Sequence, residues 1–143
     1  MREASAASKC WLSVIVPSHR GEEWINAALQ SLTTERAQGI EVILVDSGET
    51  SATRDLARSY SDRVRLRIFE RRDLLSWNTK TNFGVTLAES DHICWLGVDD
   101  VWFPGRAAAA RAWIEADPET PLHFAACKII GRDGRKAHCN HSR

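Results

Sequence analysis

Apolar residues along the chain follow two rhythms that take turns. Ser13-Val14-Ile15-Val16 is a short, largely β-branched run closed by Pro17, and Glu41-Val42-Ile43-Leu44-Val45 and His92-Ile93-Cys94-Trp95-Leu96 are two more. Brief apolar runs of this kind suit strands buried on both faces of a parallel sheet. Between the first two, Gly21-Glu22-Glu23 opens a helix with carboxylates in its first turn. Ile25, Ala28, Leu29 and Leu32 then fall at i, i+3, i+4 and i+7, one stripe facing a sheet. A turn-rich stretch, Asp46 to Ser51, leads into a second helix carrying Ala52, Leu56 and Tyr60 on one side. Val64, Leu66 and Ile68 alternate with Arg63, Arg65 and Arg67, which predicts a strand near the sheet edge with a solvated arginine face.

The pattern continues with a helix over Asn78–Glu89, then the His92–Leu96 strand, which ends at Gly97-Val98-Asp99-Asp100. Pro104 suits the first position of a helix running through Ala107–Ala110 and Trp113, ended by Asp117-Pro118. Leu122–Ile130 reads as a last strand, and Gly131-Arg132-Asp133-Gly134 has turn chemistry. Strands alternating with helices define an α/β, Rossmann-like domain with a mainly parallel sheet and flanking helices. Residues 1–10 read as a flexible leader, 11–136 as the domain and 137–143 as a tail. Ligands of such sheets bind beyond the carboxyl ends of the strands, where the strand order reverses. Ser18-His19-Arg20, Asp46-Ser47-Gly48 and Asp99-Asp100 all follow strand ends, so they are expected to converge on one crevice.

Composition narrows the partners. Of 143 residues, 19 are basic and 19 acidic, so no broad field draws nucleic acid or an anionic membrane, and a bound anion must be held by local geometry. No apolar stretch is long enough for a transmembrane helix, and the first nine residues lack the apolar core of a signal peptide. Cys10, Cys94, Cys127 and Cys139 show no paired spacing and read as reduced thiols of a cytoplasmic protein.

Asp99-Asp100 is the sharpest chemical feature. Adjacent carboxylates after a strand are either a solvated turn capping the next helix or hard oxygen ligands for Mg²⁺ or Mn²⁺ shared with phosphates. Asp46 can accept from a ribose hydroxyl or a base N–H, or close an Asx turn that Ser47-Gly48 equally favours. Lys80, at a helix start, can neutralise a diphosphate or lie in solvent. His19 and Arg20 can touch phosphate or base, or be ordinary loop residues. Trp95 reads as core and Trp102 as a pocket wall. His138, Cys139 and His141 match no four-ligand zinc spacing, and no Walker, dinucleotide-glycine or nucleophile-elbow pattern is present.

Four segments together resemble the family-2 glycosyltransferases of the A-type fold: Val16-Pro17-Ser18, Val45-Asp46-Ser47-Gly48-Glu49-Thr50, Asn82-Phe83-Gly84 and Gly97-Val98-Asp99-Asp100. They occur in the family's order and span residues 12 to about 134. The resemblance implies a nucleotide-diphosphate sugar as donor and a divalent metal, Mg²⁺ or Mn²⁺, at its diphosphate. It places Pro17, Ser18, His19, Asp46, Ser47, Lys80 and Asp99 along the nucleotide sugar, and Asp99 and Asp100 at the metal. Sugar transfer to an acceptor glycan or lipid-linked sugar would follow, as in glycan or polysaccharide biosynthesis. Ser47 stands where a second aspartate often recognises the base, which predicts weak base discrimination. Gly97 stands where the fuller motif has its first aspartate.

The resemblance also implies an acceptor half and a catalytic base that this stretch does not supply, so the chain is expected to be partial, its catalytic residues unassigned. Self-association or peripheral membrane contact is expected of its open sheet edge. The alternative reading is a module that binds nucleotide sugar without transferring it. A nucleotidyltransferase would need a Gly-rich basic loop after the first strand, and Pro17–Gly21 is not one. Hydrolysis would need carboxylates on opposite sides of a sugar, which neighbours cannot provide.

Overall fold

A computed structural model of the chain describes residues 10–33 and 39–136. Most of the expected leader, the tail, and His138, Cys139 and His141 lie outside the described residues. The chain divides into two compact units, Met1–Ala109 and Ala110–Arg143.

The first unit is built on a parallel sheet of β1 (Leu12–Ser18), β2 (Ile40–Asp46), β3 (Arg65–Glu70) and β4 (Ile93–Trp95), in the order β3-β2-β1-β4. Helices α1 (Ile25–Thr33), α2 (Ala52–Arg58) and α3 (Trp77–Leu87) connect them, and α4 (Arg106–Ala116) follows. Both central strands are buried along their whole length. Their alternating side chains serve two cores. Val14, Val16, Val42 and Leu44 pack with the α1 stripe of Ile25, Ala28, Leu29 and Leu32. Ile15, Ile43 and Val45 face the other way, against Phe69, Phe83 and Leu87. Gly84 lets α3 lie directly on β1, since a Cβ there would come within 2.5 Å of Ile15 Cγ2. Successive crossovers run from β1 out to β3, then return past β1 to β4, so the order reverses between β1 and β4.

Several expectations change on inspection. Pro17 does not close β1; it pairs with Val45, and Ser18 with Asp46. Ser13 N–H and the Ile15 carbonyl both bond toward β4. Pro17, two residues on, therefore turns its nitrogen to the same side, past the last β1–β4 pair of Ile15 and Trp95. No ladder bond is lost there.

β4 is not a buried strand. It is an edge among the described residues, with Ile93 and Trp95 exposed, and Trp95 meets the equally exposed Trp77 at 5.4 Å between ring centroids. Trp95 is thus not core, whereas Trp102 is, 8% exposed against 49% for Trp95. The buried face of α2 is Thr53, Arg54 and Ala57 rather than Ala52, Leu56 and Tyr60, although Tyr60 is buried just beyond the helix. Pro104 sits in a turn ahead of α4, not in its first position.

β3 is the other edge, but its arginines are not simply solvated. Arg67 Nη1 donates to Glu41 Oε2 at 3.2 Å and to the Leu87 carbonyl at 2.8 Å, and Arg65 Nη2 to Glu89 Oε2 at 2.6 Å. Glu41 is fully buried, and its Oε1 accepts from Ser13 Oγ and the Glu89 N–H at 2.6 and 2.7 Å. Burial alone would raise its pKa; hydrogen bonds from Ser13, Glu89 and Arg67 outweigh that and hold it below the ordinary value.

In the second unit the expected strand over 122–130 is absent. Leu122, Phe124 and Ile129 are exposed, and Ile130 makes a single antiparallel bridge to Lys136 across the Gly131–Gly134 turn. Residues 122–130 pair with no strand of the sheet, and an apolar run does not hold strand geometry by itself.

Candidate functional site

The carboxyl ends of β1, β2 and β4 come together around Gly21. A Cβ on Gly21 would lie 2.6 Å from Val98 Cγ2, 2.7 Å from Ser18 Oγ and 3.3 Å from Thr53 Cγ2. Only hydrogen fits between the loop of the acidic pair, the end of β1 and the start of α2. The Gly21 N–H also donates to Thr53 Oγ1 at 3.1 Å. The three loops singled out in the sequence therefore do converge, at the point where the strand order reverses.

Asp46, at the tip of β2, is fully buried and is held by a residue that sequence reading passed over. Arg54 reaches back from α2, donating from Nη1 to Asp46 Oδ2 at 2.5 Å, while its Nη2 lies 3.2 Å from Glu70 Oε2. Oδ1 of Asp46 and Oγ of Ser18 are buried with no hydrogen-bond partner. Each still has capacity for a ligand group or water, so the rim of the crevice is built with unspent polar valence. Pro17 is buried in the strand below. Arg20 adopts φ 54°, in the left-handed region, and its exposed guanidinium pairs with Glu49 through two 3.1 Å bonds. Few non-glycine residues sit there, and this one stands at the crevice mouth.

Lys80 is not on the solvated surface. It is 2% exposed, with Nζ 2.8 Å from Ser47 Oγ and 3.2 Å from the carbonyls of both Leu74 and Leu75. Burial lowers its pKa, opposed by the charge of Asp46. Ser47 Oγ is also 3.2 Å from Nδ1 of the exposed His19. Lys80, Ser47 and His19 thus form a continuous polar path from the α3 layer to the crevice mouth.

Asp99 and Asp100 are exposed and fold back over Gly97. A Cβ on Gly97 would meet Asp100 Oδ2 at 2.6 Å and Asp99 Oδ1 at 3.0 Å, so oxygens of both carboxylates crowd a single point. The Asp100 N–H donates to the Gly97 carbonyl at 3.0 Å, which closes the turn. Burial, and then the charge of Asp99, push the Asp100 pKa up. No group of three or more His, Cys, Asp or Glu side chains suited to a metal exists among the described residues. A pair of carboxylate oxygens fits Mg²⁺ or Mn²⁺ when phosphate and water complete the coordination.

The structure brings together Pro17, Ser18, His19, Asp46, Ser47 and Lys80, and sets Val98, which leads into Asp99 and Asp100, across Gly21 from Ser18. Sequence reading missed Arg54, Thr53 and the role of Gly21. The signal available was slight: Arg54 lies eight residues after Asp46, early in a short helix whose other buried residues are small.

A parallel sheet layered by helices on both faces, with polar turns and an acidic pair at its switch point, places the chain in the class of nucleotide-diphospho-sugar transferase folds. Comparison with known proteins makes that specific. The family described as Glycosyl transferase family 2 matches residues 13–140, and the chain belongs to it. An uncharacterized glycosyltransferase of Rickettsia typhi is 24% identical over 95 residues, which cover 66% of this chain and 29% of the relative. Among solved structures, S. aureus TarS (residues 1–349) superposes with a TM-score of 0.67 at 24% identity, covering 76% of this chain and 33% of TarS. The mannosyltransferase PcManGT from Pyrobaculum calidifontis, in complex with GDP-Man and Mn²⁺, gives 0.64 at 23% identity, covering 77% and 32%. The matched stretch therefore covers about a third of each of these three proteins. Among the described residues no helix is long and apolar enough to cross a membrane.

Proposed function

We propose that this chain is the donor-binding portion of a family-2 glycosyltransferase that uses a nucleotide-diphosphate sugar with Mg²⁺ or Mn²⁺. The observation that carries the reading is the crowding of Asp99 and Asp100 oxygens after β4, with Ser18 Oγ and Asp46 Oδ1 unpartnered at the ends of β1 and β2. The nucleoside lies along Pro17, Ser18 and the Asp46–Ser47 turn, and the diphosphate runs toward the acidic pair. The relatives support this ligand class, since TarS has been solved in complex with UDP-GlcNAc and PcManGT with GDP-Man and Mn²⁺.

In the reaction, an acceptor hydroxyl oxygen bonds to the anomeric carbon, the bond from that carbon to the diphosphate breaks, and the hydroxyl proton passes to a general base. Asp99 and Asp100 would hold the cation, which when bound would supply positive charge to the departing diphosphate. This chain's residues bind and orient the donor. Because the matched stretch covers about a third of TarS 1–349 and of PcManGT, the general base and the acceptor surface are assigned, in this reading, to a part of a whole transferase outside that stretch.

Calorimetry of UDP, GDP and dTDP with and without Mn²⁺ tests the assignment. Affinity should rise with Mn²⁺ and lose that dependence in Asp100→Ala. Metal-independent binding unchanged by the substitution would overturn the reading. Incubated alone with labelled donor and acceptors, the 143-residue chain should give no repeated turnover.

A further inference from the structure

The direction of each hydrogen bond along Lys80, Ser47 and His19 follows from what each group can do. A lysine ammonium has three N–H groups and no acceptor, and Lys80 Nζ has three acceptors, Ser47 Oγ and the carbonyls of Leu74 and Leu75. Ser47 Oγ therefore receives a proton from Lys80 and keeps its own for another partner. Two are within reach. The Ser18 carbonyl is 3.4 Å away, outside the ordinary O–H···O range, and already accepts the Ser47 N–H at 3.0 Å. His19 Nδ1 is 3.2 Å away. Were the imidazole to donate through Nδ1–H instead, two N–H donors would converge on one oxygen, one of them cationic. The serine proton would be left with the long contact.

We propose that Lys80 and Ser47 are positioning residues that act through His19: the buried ammonium orients the Ser47 hydroxyl to donate to His19 Nδ1. This holds the exposed imidazole as its Nε2–H tautomer and presents a fixed donor at the crevice mouth. Such a donor suits an oxygen of the nucleotide, a role that rests on the donor-binding reading above; the order of the hydrogen bonds does not. Lys80 thereby serves the donor without touching it, and the α3 layer is coupled to the loop after β1.

The test has two arms on the full chain. Long-range ¹H–¹⁵N spectra at about pH 8, where an ordinary imidazole is neutral, report each ring's tautomer, with His19 identified by the signal lost in His19→Gln. The expected result is Nε2–H in the unaltered chain, a displaced Nδ1 signal with more of the other tautomer in Ser47→Ala, and recovery in Ser47→Thr. An Nδ1–H tautomer, or a His19 signal indifferent to Ser47→Ala, would overturn the relay. The second arm is a double-mutant cycle on UDP affinity. Ser47→Ala and His19→Ala should each weaken binding about tenfold, and the double substitution no more than about tenfold. Multiplication to roughly a hundredfold would make them independent contacts and remove the positioning role. An unaltered chain that binds no nucleotide would refute the donor-binding reading alone, and the spectra would still decide the relay.

Discussion

Arg54 and Asp46 show what one buried pair does for a loop that must present polar atoms. Both are almost wholly buried, and the guanidinium spans Asp46 and Glu70, fixing the turn that carries Ser47 and Gly48. Removing one partner of a buried pair leaves the other charge without compensation, at about 3–5 kcal/mol. Arg54→Met should therefore destabilise the chain by roughly that amount in urea unfolding, well beyond what an exposed substitution such as Arg58→Met costs. At the acidic pair the relevant quantity is a proton. Asp100 is pushed up by burial and by Asp99, so protons compete with a cation for the same oxygens. Affinity for Mn²⁺, followed by titration at successive pH values, should fall on acidification through the carboxylate range, and the fall should shrink in Asp100→Asn.

The elements were legible in the sequence to different degrees, for physical reasons. The α1 stripe and the two central strands were readable because their burial is apolar and their neighbours are sequence-local in pattern. β4 shares the apolar run of a central strand, yet it lies at an edge, and position in the sheet is not encoded in the run itself. Arg54, Lys80 and Glu41 are charged side chains that composition places outside. Each has a partner 8 to 48 residues away, which no local periodicity reports. The convergence of three loops was legible because strand-end position follows from topology; which side chains line it and which lie beneath was not. Glu41 also ties β1, β2, β3 and the end of α3 at the opposite pole of the sheet. Its depressed pKa means that its contribution is present above the unfolded carboxylate value, about 4.3, and is lost as pH falls through the folded value. Glu41→Gln should cost stability at neutral pH, and the gap to the unaltered chain should close as urea titrations move toward pH about 3.

For the whole molecule, the consequence lies at the β4 edge. Ile93, Trp95 and Trp77 are exposed side by side with an unpaired strand edge among the described residues. Edges of this sort pair with other chains unless charged or covered. Sedimentation of the 143-residue chain should show concentration-dependent association that Trp95→Lys reduces. Donor binding, seated beyond the carboxyl ends of β1, β2 and β4 rather than along the β4 edge, should survive that change.

Gly97 sets the room available to the acidic pair. Its missing side chain is the space into which both carboxylates fold, with oxygens 2.6 and 3.0 Å from where a Cβ would stand. An aspartate introduced at that position, completing the fuller motif of other members, would press its Cβ against those oxygens and add a third negative charge beside them. Both oxygens are the free ends of exposed side chains, so the pair must swing out of that space to admit the new one. Gly97→Asp should therefore bind Mn²⁺ with an affinity that departs from that of the unaltered chain, read by titration.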